Sequence, residues 1–170
     1  MYFGKSKLYQ KIKDIGGKWN DTKERPLVCL IKSTEHENLF WAIPVGNWNH
    51  RDKTGQERIE KFMSYPENDI RSCYYHIGKT NIKSIFFISD VIPITEEYID
   101  RGYKVFDEDI YIIKNPKLIQ SLIKKLRRIL AFESSNNNYF RQRITDIKNV
   151  LISELELQQT QEQVAPTKIT

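Results

Sequence analysis

The chain has 170 residues, 39% of them hydrophobic and 12% aromatic. That is enough apolar material for one packed domain, and it excludes wholesale disorder. Lys and Arg outnumber Asp and Glu by 27 to 22, giving a net charge of +5. This excess favours a polyanionic partner without proving one.

The opening MYFGKSKLYQ lacks the apolar segment of a secretory leader, and no apolar run approaches a membrane span. A cytoplasmic protein with no membrane partner is expected. SKLYQKIKDI then reads as a short helix, capped by Ser6 and stopped at Gly16-Gly17, with Leu8, Ile12 and Ile15 on one face. Lys5, Lys7, Lys11 and Lys13 form a basic rim beside Tyr9. Residues 18–25 read as a loop.

PLVCLIKS (26–33) and NLFWAIPV (38–45) are too apolar for a half-wetted sheet, so central strands of a rolled sheet are expected. A polar stretch, 46–71, follows, with a possible short helix in GQERIEKFM; connections of that length tend to carry function. Strands are predicted again at SCYYHI (72–77), IKSIFFIS (82–89), VIPI (91–94) and within DEDIYIIKNP. Asn115 as cap and Pro116 at the first position open a helix with Leu118, Leu122, Leu126 and Ile129 on one face. Lys117, Lys124, Lys125, Arg127 and Arg128 remain outside. A second helix is predicted over about 138–158, carrying Phe140, Ile144, Ile147, Leu151 and Leu155, and residues 159–170 read as a flexible tail. The expected architecture is α+β: one domain over 1–158, with a strongly twisted, mainly antiparallel β-barrel core at about 26–114 and a helical hairpin at about 116–158.

Cys29 and Cys73 lie in apolar runs and read as buried, reduced thiols. His36, His50 and His76 are isolated from one another and from the cysteines, so spacing builds no metal site and no cofactor is expected. GKT at 78–80 lacks the upstream glycine of a phosphate-binding loop, because Cys73 stands there.

Four ordered features carry a family resemblance: Ser6-Lys7-Leu8-Tyr9, the step Ile43-Pro44-Val45, the run SCYYHIGKTNIKSIFFISDVIPI, and the basic helix 116–132. Over residues 5 to about 132 the chain resembles the toxins of type III toxin–antitoxin systems, the ToxN/AbiQ group with its CptN and TenpN relatives. The resemblance implies a fold similar to the MazF/CcdB-like barrels. It also implies a metal-independent endoribonuclease that cuts mRNA and its own repeat antitoxin RNA. The resulting pseudoknot units would inhibit the toxin in ring-like toxin–RNA assemblies, in many systems during abortive phage infection. In the ToxN/AbiQ branch the apolar-Pro-apolar step precedes a hydroxyl pair and a lysine. Gly46, Asn47, Trp48, Asn49 and His50 stand here instead, so a divergent branch with a different residue set is expected.

Metal-free RNA cleavage uses the 2′-OH against the adjacent phosphate and leaves a 2′,3′-cyclic phosphate and a 5′-OH. It needs proton transfer and stabilisation of the phosphorane. His50 is the best acid or base in this chain, with a solvated surface histidine as the alternative. Arg51 and Lys53 are candidate phosphate contacts. By the resemblance, Asn47 and Tyr9 match active-site positions and Arg25 stands where the family carries a lysine. Trp48 is a candidate base platform or a cap on the barrel end. Lys7, Lys79 and Thr80 are candidate RNA contacts, as are Lys124, Lys125 and Arg128 on the helix. His76 reads as a cross-strand histidine. The rival reading is a basic RNA-binding module on the same fold that does not cleave.

Overall fold

The structure is a computed structural model that describes residues 1–20, 22–106 and 109–164. Seven strands form an antiparallel sheet: β1 (Tyr2–Gly4), β2 (Leu27–Lys32), β3 (Phe40–Asn47), β4 (Tyr75–Lys79), β5 (Lys83–Phe87), β6 (Ile92–Ile94) and β7 (Ile99–Gly102). Four helices accompany it: α1 (Ser6–Asp14), α2 (Lys53–Met63), α3 (Pro116–Ser135) and α4 (Ile144–Val164). The sheet runs β4-β5-β3-β2-β1-β7, with β6 pairing β3 off this path. Its end strands β4 and β7 do not pair, so the sheet is open and the expected closure into a barrel is not seen among the described residues.

The central strand β3 changes partner along its length. Phe40 to Ala42 pair with β6, whereas Val45 to Asn47 pair with β5. Pro44 sits in the gap between these two ladders. The Val45 N–H faces β2, where it bonds the Pro26 carbonyl at 2.9 Å. By strand alternation the missing N–H of Pro44 faces the unladdered gap, so a central strand tolerates a proline there. The strand continues past the apolar run through Gly46 and Asn47, which carries the polar cluster onto the rim of the sheet.

Helix ends follow local chemistry. Asn115 Oδ1 accepts from the N–H groups of Lys117 and Leu118 at 3.0 and 3.3 Å, ahead of Pro116. Gly16, at φ 82°, ends α1, and the Gly17 N–H returns to the Ile12 carbonyl at 2.8 Å. Lys5, not Ser6, takes the cap position of α1, and no side chain caps it. Leu118, Leu122, Leu126 and Ile129 of α3 are buried against the sheet core, each contributing about 1.5–3 kcal/mol relative to exposure. Ile147 and Leu151 of α4 close a second cluster with Leu8 and Ile12 of α1.

Three predicted elements differ. Residues 70–73 form a 3-10 turn, not the start of a strand, because Asp69 turns back to accept from the Arg71 N–H at 2.9 Å. The expected strand in DEDIYIIKNP is reduced, within the described residues, to one bridge between Ile110 and Lys104. Phe140 precedes α4 and is held by neighbouring rings, and the helix reaches Val164 beyond its expected end at 158. Residues 165–170 of the expected tail lie outside the described residues. No helix among the described residues is long and apolar enough to cross a membrane.

Candidate functional site

The end of β3 turns into a 3-10 segment, Trp48–His50, and then into α2. Asn47 organises this corner. Its Oδ1 accepts from the Asn49 N–H at 2.9 Å, which leaves its amide group to meet His50 Nε2 at 3.3 Å. With the carboxamide oxygen committed, the amide donates and Nε2 accepts, so the neutral ring carries its proton on Nδ1. Asp52 caps α2 through the Gly55 N–H at 2.7 Å, and Gln56 Nε2 ties back to the carbonyls of Trp48 and Arg51. These bonds fix the direction in which His50 and Arg51 leave the backbone.

His50, Asn47, Arg51 and Arg25 line one cleft of about 290 Å³, together with Thr80 and Ser84 of the β4–β5 hairpin. Arg25, just before β2, and Arg51, just before α2, converge from separate parts of the sequence. Their guanidinium carbons lie 4.6 and 4.8 Å from the centre of the Phe87 ring. Gly46 makes room for this: a Cβ there would stand 2.7 Å from Arg25 Nη1 and 3.1 Å from the Phe87 ring. Burial first, and then the Arg51 charge, hold the Arg25 guanidinium below its usual pKa. Among the described residues neither arginine has a carboxylate at ion-pair distance; Glu24, which borders the cleft, is bound by both terminal nitrogens of Arg101 at 2.7 and 3.0 Å. The Asp90 charge also acts on Arg25, but Asp90 is bound by Arg141 at 2.9 Å, so two close cations with no carboxylate at ion-pair distance suit a phosphate.

Tyr9 lies outside this cleft. It lines a neighbouring one of about 300 Å³ that Arg25 also borders. Its ring stacks on Trp19 at 5.0 Å, and burial pushes its hydroxyl up to about 12. In this arrangement Tyr9 is a packed side chain and not a ready proton donor at His50.

The expected RNA contacts divide. Thr80 belongs to the site, its hydroxyl 2.8 Å from that of Ser84. Trp48 does not offer a face to a base: it is 4% exposed, packed in a cluster with Ile59, Ile85 and Phe87, with the Lys83 ammonium over its ring. Lys125 turns inward, half-buried, and donates to the Tyr75 carbonyl at 2.8 Å. Lys124 is paired with Glu67 at 2.6 Å, beside Arg128. Lys53 and Lys7 are exposed and stand 3.8 and 3.9 Å from Glu57 and Glu97. Lys79 is exposed on the rim of β4. His76 pairs across to Phe86, and burial pulls its imidazole down to about 4.

A larger cleft of about 450 Å³ adjoins the first across Arg25 and Arg51. Trp19, Arg58, Phe62, Asp90 and Arg141 line it, and sequence reasoning proposed none of them. In the chain Trp19 reads as loop, Arg58 and Phe62 as part of a possible short helix, Asp90 as the break between two strands and Arg141 as part of the second long helix, so nothing local marks them as one group. Both cysteines are free thiols, and no three metal-ligating side chains gather among the described residues. No protein-family model matches the chain, and no curated protein matches it.

Proposed function

We propose that this protein is a metal-independent endoribonuclease, the toxin of a type III toxin–antitoxin system acting in the cytoplasm. In this reading it cuts mRNA and its own repeat RNA, is held inactive by the pseudoknot units in a ring-like assembly, and serves in phage defence. Its open, twisted sheet is then a variant of the MazF/CcdB-like barrels. The observation that carries the reading is the convergence of His50, Asn47, Arg51 and Arg25 on one cleft where, among the described residues, the lining carboxylate, Glu24, is held by Arg101.

The scissile phosphate sits between Arg25 and Arg51, whose guanidinium groups offset the charge that grows on the phosphorane. The substrate 2′-OH displaces the Asn47 amide from His50 Nε2 and gives its proton to that nitrogen. The 2′-oxygen bonds to phosphorus and the bond from phosphorus to the 5′-oxygen breaks. The leaving oxygen takes a proton from water or from the His50 imidazolium. The freed Asn47 amide and the Thr80 hydroxyl donate to the non-bridging oxygens. Asn47 thereby takes the place of the hydroxyl chemistry that the resemblance would put after the strand.

The test is cleavage of RNA in EDTA with the product ends mapped. Cyclic-phosphate ends should form, and His50→Ala should lower the rate by about 10²–10⁴-fold. RNA binding without cleavage by the unaltered protein would replace this reading with the non-cleaving RNA-binding module.

A further inference from the structure

Resting on the RNA-cleaving reading, we infer that the 450 Å³ cleft beside the phosphate site takes the base of the flanking nucleotide, and that this base is guanine. Arg25 and Arg51 border both clefts, so a phosphate held between them leaves its neighbouring base at the mouth of the larger one. The walls suit a flat ring. Trp19, half-buried, is a platform already backed by Tyr9 with its ring nearly parallel at 6°. Phe62 of α2 stands on another wall, stacked at 5.5 Å on Tyr74, with Arg58 one turn earlier on the same helix. Base stacking on such rings is insensitive to sequence, so identity must be read by polar groups.

The polar edge is Asp90 with Arg141. Arg141 Nη2 donates to Asp90 Oδ2 at 2.9 Å, and the Asp90 side chain keeps 24% of its surface exposed. The carboxylate keeps lone pairs for two adjacent N–H donors, and the guanidinium keeps donors for one acceptor. Guanine presents that combination on its Watson–Crick edge: N1–H and the 2-amino group beside O6. Adenine has no N1–H, uracil has one ring N–H, and cytosine sets its amino group next to an acceptor.

The edge is held ready before any ligand arrives. Gln142, 1% exposed, donates to the carbonyls of Ser89 and Val91 at 2.9 and 2.8 Å, clamping the turn that carries Asp90 against the segment that carries Arg141. The Lys18 N–H donates to the Arg141 carbonyl at 2.7 Å and ties the Trp19 segment to the same segment. Preorganisation of this kind removes ordering costs at binding.

The probe is a fluorescent uridine tract, 2′-O-methylated throughout so that it cannot be cut, with guanine, adenine or inosine at one central position. Anisotropy should show the guanine strand binding roughly tenfold to a hundredfold tighter than the adenine strand. Inosine, which lacks the 2-amino group, should lose a large part of that ratio, and Asp90→Asn should collapse it. Equal affinity for the guanine and adenine strands would overturn the inference, as would a guanine preference that survives both changes, or no binding of any strand. Guanine preference without cleavage of ordinary RNA would overturn the nuclease reading and leave the base pocket standing. Cleavage without guanine preference would do the reverse.

Discussion

Two basic regions of the molecule differ in what their charges face. On α3, Lys124 is matched to Glu67 and Lys125 is turned onto a backbone carbonyl. At the end of β3, Arg25 and Arg51 share the Phe87 ring and have no carboxylate at ion-pair distance among the described residues. By count of cations the helix is the richer surface. By what each cation already touches, the cleft is the better seat for a phosphate, because two like charges kept close are stabilised when an anion arrives. Charge numbers bound the class of partner; the state of pairing picks the place.

The largest effect that bears on this contrast is at Arg25. Arg25→Ala should weaken binding of single-stranded RNA by about tenfold to a hundredfold, the usual worth of a hydrogen bond to a charged group. It should also flatten the dependence of log K on log salt by about 0.7. A titration at several salt concentrations measures both. Gly46→Ala leaves every charge in place, yet its Cβ would meet Arg25 Nη1 at 2.7 Å and the Phe87 ring at 3.1 Å. Displacing the guanidinium should reproduce most of the Arg25→Ala loss, with about 1–3 kcal/mol of destabilisation from overpacking. Binding unaltered in Gly46→Ala, with the variant folded, would show that the seat over β3 is irrelevant to RNA.

A smaller effect tests the other side of the contrast. His76 packs under α3, and burial, with the Lys125 charge second, draws its imidazole down to about 4 from the ordinary 6.5. The unfolded chain therefore binds a proton that the folded chain refuses across this window. Stability should be full above about pH 6.5 and should decline as pH falls from 6.5 towards 4, with no further loss from this group below that. Urea midpoints at a series of pH values check it: His76→Gln should remove part of the acid decline. An identical pH profile in the variant would free His76 from a structural role and reopen it as a proton carrier.

Much of this was legible in the sequence where local chemistry is strong. The Asn115-Pro116 start of α3, the glycine stop of α1 and the apolar runs of β2 and β3 all read correctly, because caps and long hydrophobic runs act locally. The strands β1 and β7 did not, since three or four residues carry no periodicity and form by pairing, β1 between β2 and β7, and β7 on β1 at the end of the sheet. The turn at 70–73 failed for the opposite reason: one Asp69 side chain outweighed the strand preference of the residues that follow. In the candidate site, the cluster of Asn47, His50 and Arg51 was visible as a polar run after an apolar strand. Thr80 and Arg25 reach it from distant parts of the chain. The partnership of Gly46 with Arg25 has a faint sequence sign, a glycine inside a strand, which marks a close approach without naming what approaches. Asp90 and Arg141 stand 51 positions apart, and only the fold makes them a pair.

The smallest expected effect is at Lys124, and its smallness is what the contrast requires. The ammonium and the Glu67 carboxylate are 2.6 Å apart, with 68% and 78% of their side-chain surfaces exposed. Exposed pairs of this kind contribute about 0–1 kcal/mol, because water screens the attraction and both long side chains lose freedom. An RNA phosphate approaching Lys124 must compete with a carboxylate already in place. Lys124→Ala should therefore change RNA affinity by less than about threefold and leave the salt slope nearly unaltered. Glu67→Ala gives the converse: freeing the ammonium should raise affinity slightly and steepen the slope by up to about 0.7. If Lys124→Ala instead costs as much as Arg25→Ala, RNA lies along α3, and carboxylate pairing in the free protein does not decide where it binds.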